Sequence, residues 1–354
     1  MIPATTDEVT AKWLAGALDL PIASIGKQPI GVGVGLLGEL LRVTLTFKGD
    51  RPADAPESVV VKMPTHAPAN KAIGMAFRFY ERELRFFDEV APTARVKVPA
   101  VLHSAMDLDA ERFVLVLEDL SHLELADQVA GVSVEQAIQA VQAIAPFHAQ
   151  WWESNELEQL DWLPAADHPI TMQAAKVSED GWEHFVEKWQ HVVPAGGIEL
   201  GERVRDAYRQ MLTELAVPPR TFVHTDFRLD NLFFGDNGVT VIDWQLSTRS
   251  SGVYDVAYLL SQSMDVELRR ANQEDILGAW HERLCQAGVK DYPIEQARLD
   301  YAASVLVCLV VAVAAGADMD TGNERGEALV RALAERGFSA ALDADFEAVF
   351  ARLG

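Results

Sequence analysis

The hydrophobic period changes partway along this 354-residue chain, and that change limits what it can fold into. In Leu41-Arg42-Val43-Thr44-Leu45-Thr46-Phe47 apolar and polar residues alternate strictly, and Ser58-Val59-Val60-Val61-Lys62-Met63 is a short β-branched run. Period two predicts strands in both. Before them, Thr6 stands as the cap of a short helix through Asp7, Glu8 and Trp13. After them, a helix is expected from about Asn70 to Val90, then strands over Val98 to Leu102 and Phe113 to Leu117, the last closed by Glu118-Asp119-Leu120. Beyond about residue 120 the spacing turns helical. Ser133-x-x-Gln136 has the form of a capping box ahead of Ile138, Val141, Ile144 and Ala145, and Pro146 predicts a kink. Further helical patterns cover about 171–191, 198–216, 266–287, 293–317 and 320–337, interrupted by a β-like island between Thr221 and Asp243. The expected class is α+β, with a small β-rich lobe over 1–120 and a larger, mainly helical lobe over 121–354.

Composition narrows the partners. Asp and Glu number 53 against 30 Lys and Arg, a net charge of −23, which repels nucleic-acid backbones and anionic membranes. With 49% hydrophobic residues the chain can fill a large core, so global disorder is excluded. Tyr301 to Ala317 is nearly continuous apolar sequence, but Asp300 and Asp318 flank it without basic anchors, which favours a buried helix over a membrane span. Two cysteines, Cys285 and Cys308, cannot make a disulfide framework, and the N-terminus does not read as a secretory signal; both fit a cytoplasmic protein.

The island carries the chemistry. Phe222-Val223-His224-Thr225-Asp226-Phe227-Arg228-Leu229-Asp230-Asn231-Leu232 places a polar loop between two apolar runs, and Val239-Thr240-Val241-Ile242-Asp243-Trp244 ends a second strand on another carboxylate. Asp and Asn are also common turn formers. The ordered set His-x-Asp-x4-Asn followed by Ile-Asp-Trp is more than a turn needs. Two carboxylates and an amide at strand ends suit a hard cation such as Mg²⁺. A carboxylate left off the metal can take a hydroxyl proton as general base.

His224-x-Asp226-x4-Asn231 together with Asp243 resembles the catalytic and metal-binding set of the aminoglycoside phosphotransferase and choline kinase group of the protein-kinase-like superfamily. The fuller strings are most similar to its ecdysteroid-kinase-like branch and its bacterial relatives, and the likeness runs from about residue 25 onward. It implies a bilobal ATP-dependent phosphotransferase in which Asn231 and Asp243 hold Mg²⁺ and Asp226 orients the acceptor hydroxyl and takes its proton. Arg228 would counter charge near the transferred phosphate.

In the first lobe, Gly33-Val34-Gly35-Leu36-Leu37-Gly38 matches a dinucleotide-binding fingerprint, but the run after it is a strand rather than a helix. Glycines between two strands form a flap over nucleotide phosphates instead, as the kinase Gly-rich loop does. By the same resemblance Lys62 grips the α and β phosphates, and Glu83, or failing it Glu81, holds Lys62. The adenine pairs with backbone near Glu118, Asp119 and Leu120. Asp255, in Tyr254-Asp255-Val256-Ala257, braces the catalytic loop, and His224 organises it. Trp244-Gln245 stands where protein kinases have Phe-Gly, which points to a small-molecule kinase. Trp151, Trp152, Trp162, Trp182 and Trp189 either line an apolar pocket for the acceptor or pack the core, as His148 does. The acceptor is expected to be a small hydroxyl compound, neutral or cationic, and the protein a monomer or weak homodimer. The competing readings are a nucleotide-binding scaffold without turnover and a nicotinamide-dependent oxidoreductase.

Overall fold

Alternation along Gly38–Phe47 and Ser58–Pro64 sends one set of side chains to a core, and in the second run it turns Lys62 to the other face. The computed structural model describes residues 2–31, 37–318 and 324–353. Two compact units result, the first made of Met1–Ala94, Val98–Leu123 and Ile242–Leu246. Its elements are α1 (Ala11–Leu18), β1 (Ile22–Ile30), β2 (Gly38–Phe47), β3 (Ser58–Pro64), α2 (Pro68–Ala76), α3 (Phe79–Arg85), β4 (Val101–Asp107) and β5 (Arg112–Glu118). The strands form an antiparallel sheet in the order β1-β2-β3-β5-β4. Leu41, Val43 and Leu45 of β2, Val59, Val61 and Met63 of β3, and Val114 and Val116 of β5 bury one face with Val9 and Leu14 from the N-terminal segment. Lys62, between Val61 and Met63, therefore projects from the opposite face.

Several expectations are corrected here. Thr10, not Thr6, caps α1: its side chain accepts the Trp13 N–H, while Thr6–Glu8 is a separate 3₁₀ turn. The long helix expected from Asn70 to Val90 is two helices followed by a π turn over Phe86–Val90. The break falls at Arg78, whose left-handed φ of 57° a helix interior does not admit. Its guanidinium reaches Glu81 at 2.8 and 2.7 Å. Gly74 lets the two helices meet, since a Cβ there would stand 2.6 Å from the Tyr80 ring. Strand β1 escapes the pattern because it is a mostly exposed edge strand carrying Gly26 and Pro29. The opposite edge, β4, begins three residues later than Val98 and has no buried residue to set a period.

The second unit comprises Arg95–Lys97, Glu124–Val241 and Ser247–Gly354. In chain order it holds β6 (Glu124–Leu125), α4 (Val134–Trp151), α5 (Gln173–Trp189), α6 (Gly197–Leu215), β7 (Thr221–Val223), β8 (Leu232–Gly235), β9 (Gly238–Val241), β10 (Thr248–Ser250), α7 (Val253–Ser263), α8 (Val266–Gln286), α9 (Ile294–Asp318), α10 (Glu324–Asp343) and α11 (Phe346–Leu353). The capping box forms at Ser133 and Gln136, and α4 runs on through Pro146 to Trp151. Helix α9 has a mean hydropathy of 2.1 over its apolar window, which is 72% buried, and it packs against α5, α6, α7 and α10. Every residue of α7 is buried, which is why no amphipathic stripe marks it in the sequence. Trp151, Trp162, Trp182 and Trp189 are all core residues, so of the five tryptophans only the half-buried Trp152 keeps an exposed edge. The β-like island resolves into β7, β8 and β9. Strands β8 and β9 pair antiparallel beside β6, and β7 pairs with β10.

Candidate active site

Lys62 is the centre of charge in the first unit. Its ammonium lies 2.7 Å from Glu83 Oε1 and 3.0 Å from Asp243 Oδ1. Glu83, on α3, is 1% exposed and takes Lys62, whereas Glu81 is occupied by Arg78. Burial by itself would lower the Lys62 pKa, but the Asp243 and Glu83 carboxylates outweigh it and hold it above the ordinary lysine value. Burial pushes Glu83 the other way, up to about 7, against the pull of Lys62. An ammonium has three N–H donors. Two face these carboxylates, and the third has no partner among the described residues.

Asp243 follows β9 with a left-handed φ of 63°. Its second oxygen lies 3.4 Å from Gln245 Nε2. The next residue, Trp244, is wholly buried and stacks on Phe86 with ring centroids 4.0 Å apart and planes 6° from parallel. Phe86 is the first residue of the π turn after α3, so the stack ties the Asp243 segment to the helix that carries Glu83. Gly38 opens β2, whereas Gly33 and Gly35 lie outside the described residues. At the end of β5, Asp119 accepts Ser58 Oγ at 2.6 Å and the Ser121 N–H, and it pairs with Arg42. Burial raises its pKa, but these partners together bring it below the ordinary carboxylate value. Glu118 accepts the Ala100 N–H at 3.2 Å and Leu120 is buried, so these three side chains serve the fold.

In the second unit the loop between β7 and β8 is held from beneath by α7. Asp255, fully buried, accepts the His224 N–H and the Thr225 N–H at 2.9 Å each, and lies 3.1 Å from His148 Nε2. Trp280 donates to His148 Nδ1 at 3.1 Å, which leaves the proton on Nε2 to face Asp255. Thr225 holds a φ of 71°, a strained conformation for a β-branched residue. His224 Nδ1 accepts the Asp226 N–H at 3.2 Å, the contact of a loop organiser. Changing Asp255 to Asn swaps an acceptor for a donor among three N–H groups. The expected loss is about 3 kcal/mol of unfolding free energy, read by urea titration.

Asp226 gathers three donors. Tyr258 Oη donates to Oδ1 at 2.8 Å, Asn231 Nδ2 to Oδ2 at 2.9 Å, and Arg228 Nε lies 3.3 Å from the carboxylate. Asn231 Nδ2 also donates to the Asp226 carbonyl at 2.9 Å. Both amide hydrogens are thereby committed, and the end of Asn231 left to ligate a cation is its oxygen, the donor Mg²⁺ prefers. Arg228 bridges onward to Asp230 at 2.8 Å. Gln128, fully buried, accepts the Leu229 N–H through Oε1 at 3.0 Å and donates its own N–H to Asp230 at 3.1 Å. Sequence reasoning missed Tyr258 and Gln128. Tyr258 had a readable signal, three residues after Asp255 on the same helix; Gln128 had none.

Among the described residues no group of three or more His, Cys, Asp and Glu side chains forms a metal cage. A catalytic Mg²⁺ does not need one, because it keeps waters and substrate phosphates beside one or two carboxylates. Asn231, in the second unit, and Asp243, in the first, each carry a side-chain oxygen of the kind Mg²⁺ takes.

Comparison with known proteins adds the family and the fold. The sequence profile of the ecdysteroid kinase-like family matches residues 33–290. No curated protein sequence matches the chain. The structure is similar to choline kinase from Cryptosporidium parvum, with a TM-score of 0.54 and 12% identity over 93% of this chain and 91% of that one. It is also similar to a Ralstonia eutropha protein assigned to the aminoglycoside phosphotransferases, with a TM-score of 0.51 and 14% identity over 95% and 98% of the two chains. At these identities the likeness is one of fold, and it shows the protein-kinase-like α+β architecture.

Proposed function

The chain belongs to the ecdysteroid kinase-like family, and from that premise we propose that it transfers the γ-phosphoryl group of ATP to a hydroxyl of a small molecule with Mg²⁺. Family and fold together point to small-molecule phosphotransferase activity in general. The observation that carries the finer reading is the buried Lys62, fixed between Glu83 and Asp243 with one N–H to spare for a phosphate oxygen. Phosphoryl transfer asks little covalent chemistry of the protein and much positioning and charge neutralisation. Asn231 and Asp243 are the residues that would each offer an oxygen to Mg²⁺, which would supply the remaining charge neutralisation on the phosphates.

The chain's own residues divide the rest of the work. Lys62 binds phosphate oxygens, and Glu83 keeps Lys62 pointed. Asp226 orients the acceptor hydroxyl and takes its proton as the oxygen attacks phosphorus and the bond to ADP breaks. Arg228 lies beside that carboxylate, where its charge is available to the moving phosphoryl group. The backbone near Glu118, Asp119 and Leu120 receives the base. We place this activity in the cytoplasm. The strand that follows Gly38 is the reason to set a nicotinamide site aside.

Incubation with Mg-ATP and a panel of hydroxylated amines, alcohols and sugars, followed by mass spectrometry, is expected to show a product heavier by one phosphoryl group, formed as ATP is converted to ADP. Binding of ATP without any such product would favour a scaffold of the same fold.

A further inference from the structure

The Asp226 carboxylate is gripped by a residue that the reading above does not use. Tyr258 lies on α7 three residues after Asp255, so the two side chains leave one face of the helix a single turn apart. Asp255 holds the backbone N–H groups of His224 and Thr225, and Tyr258 Oη donates to Asp226 Oδ1 at 2.8 Å. The same helix face thus fixes both the loop and the functional group the loop carries. Asn231 holds the other oxygen at 2.9 Å. With Tyr258 on one oxygen and Asn231 on the other, beside Arg228, the plane of the carboxylate cannot turn about its χ2 torsion without breaking a hydrogen bond.

A buried tyrosine hydroxyl usually finds a hydrogen-bond partner. Tyr258, 4% exposed, donates to a carboxylate, a charge-assisted bond stronger than a neutral one. Burial, followed by the Asp226 charge, raises its pKa well above the ordinary value, so the hydroxyl remains a donor throughout the working pH range.

We propose that Tyr258 is a positioning residue for phosphoryl transfer: its hydroxyl sets the orientation in which Asp226 meets the acceptor hydroxyl. The proposal rests on the function given above. Outer-shell partners that orient metal ligands contribute about 10- to 100-fold to affinity or activity, and a partner that orients a general base is expected to act on the same scale. Tyr258→Phe, which keeps the ring and removes the oxygen, is expected to lower kcat by about that factor while the KM for ATP stays within about twofold. Incorporation of 3-fluorotyrosine at position 258 restores the hydroxyl and should restore turnover. Its ¹⁹F resonance should shift when Asp226 is changed to Asn, a readout of the contact that needs no acceptor.

A Tyr258→Phe variant with unchanged kcat overturns the proposal. So does a ¹⁹F resonance that ignores the Asp226 substitution, or a loss of turnover that 3-fluorotyrosine does not rescue. Absence of phosphoryl transfer by the unaltered protein, with the ¹⁹F shift present, overturns the function itself and the positioning role with it.

Discussion

Changing Asp226 to Asn lowers turnover by about 10²- to 10⁴-fold, the range that a positioned general base supplies, and leaves ATP bound with nearly its original affinity. The two side chains have the same shape, so the loop keeps its course. The amide cannot accept a proton, and it offers one oxygen where the carboxylate offered two. Tyr258 and Asn231 both donate to Asp226, so one of them comes to face the new NH₂ group. About 1 kcal/mol of unfolding free energy should go with that bond, too little to unfold the domain. Single-turnover transfer separates the chemical step from binding, and calorimetry with Mg-ATP measures the affinity. Full transfer by this variant would remove Asp226 from the chemistry.

Lys62→Met should fail differently, in binding as well as in rate. Removing one preorganised cation or donor from a site of developing charge costs about 10²- to 10³-fold in kcat. The affinity for ATP should fall with it, because the phosphate oxygens lose their contact. A second consequence appears without any ligand. Lys62 is the charge that pulls Glu83 down, and even with it Glu83 stands at about 7 because of burial. Without Lys62 the Glu83 pKa climbs further above its unfolded value. A carboxyl whose pKa is raised on folding adds stability in full below its unfolded pKa, about 4.3, and loses it as pH rises through the folded value. The melting temperature of Lys62→Met should therefore fall between about pH 5 and pH 8. A Lys62→Met, Glu83→Gln double variant should show no such decline. A pH-independent melting temperature for Lys62→Met would mean that Glu83 is not held in a dry site.

How much of this was legible depended on whether burial wrote a period into the sequence. Leu41, Val43 and Leu45 alternate with polar residues because one face of β2 is core, and strands β2 and β3 could be read directly. The edge strands β1 and β4 bury too little to leave such a mark. Helix α7 lies at the other extreme, buried on all sides, and its uniform sequence hides its period just as well. The break at Arg78 was illegible for another reason: a left-handed φ at an arginine is set by its bridge to Glu81 and by the Tyr80 ring over Gly74. Site residues with a fixed spacing, such as His224, Asp226 and Asn231, announced themselves as a string. Lys62 and Glu83 needed the family's order to be paired, because 21 residues separate them in the sequence. Gln128, 101 residues from Leu229, reaches the loop through tertiary contact alone.

The five residues Ile242–Leu246 belong to the first unit, although the chain before and after them belongs to the second. This insertion makes the small unit discontinuous in sequence, so no single cut releases it whole. A fragment ending at residue 123 would expose the Phe86 face that Trp244 covers and would strip Lys62 of Asp243. It should be poorly soluble when expressed alone. Split-protein complementation would then need the partner fragment to return those five residues, and Trp244 fluorescence would report their docking.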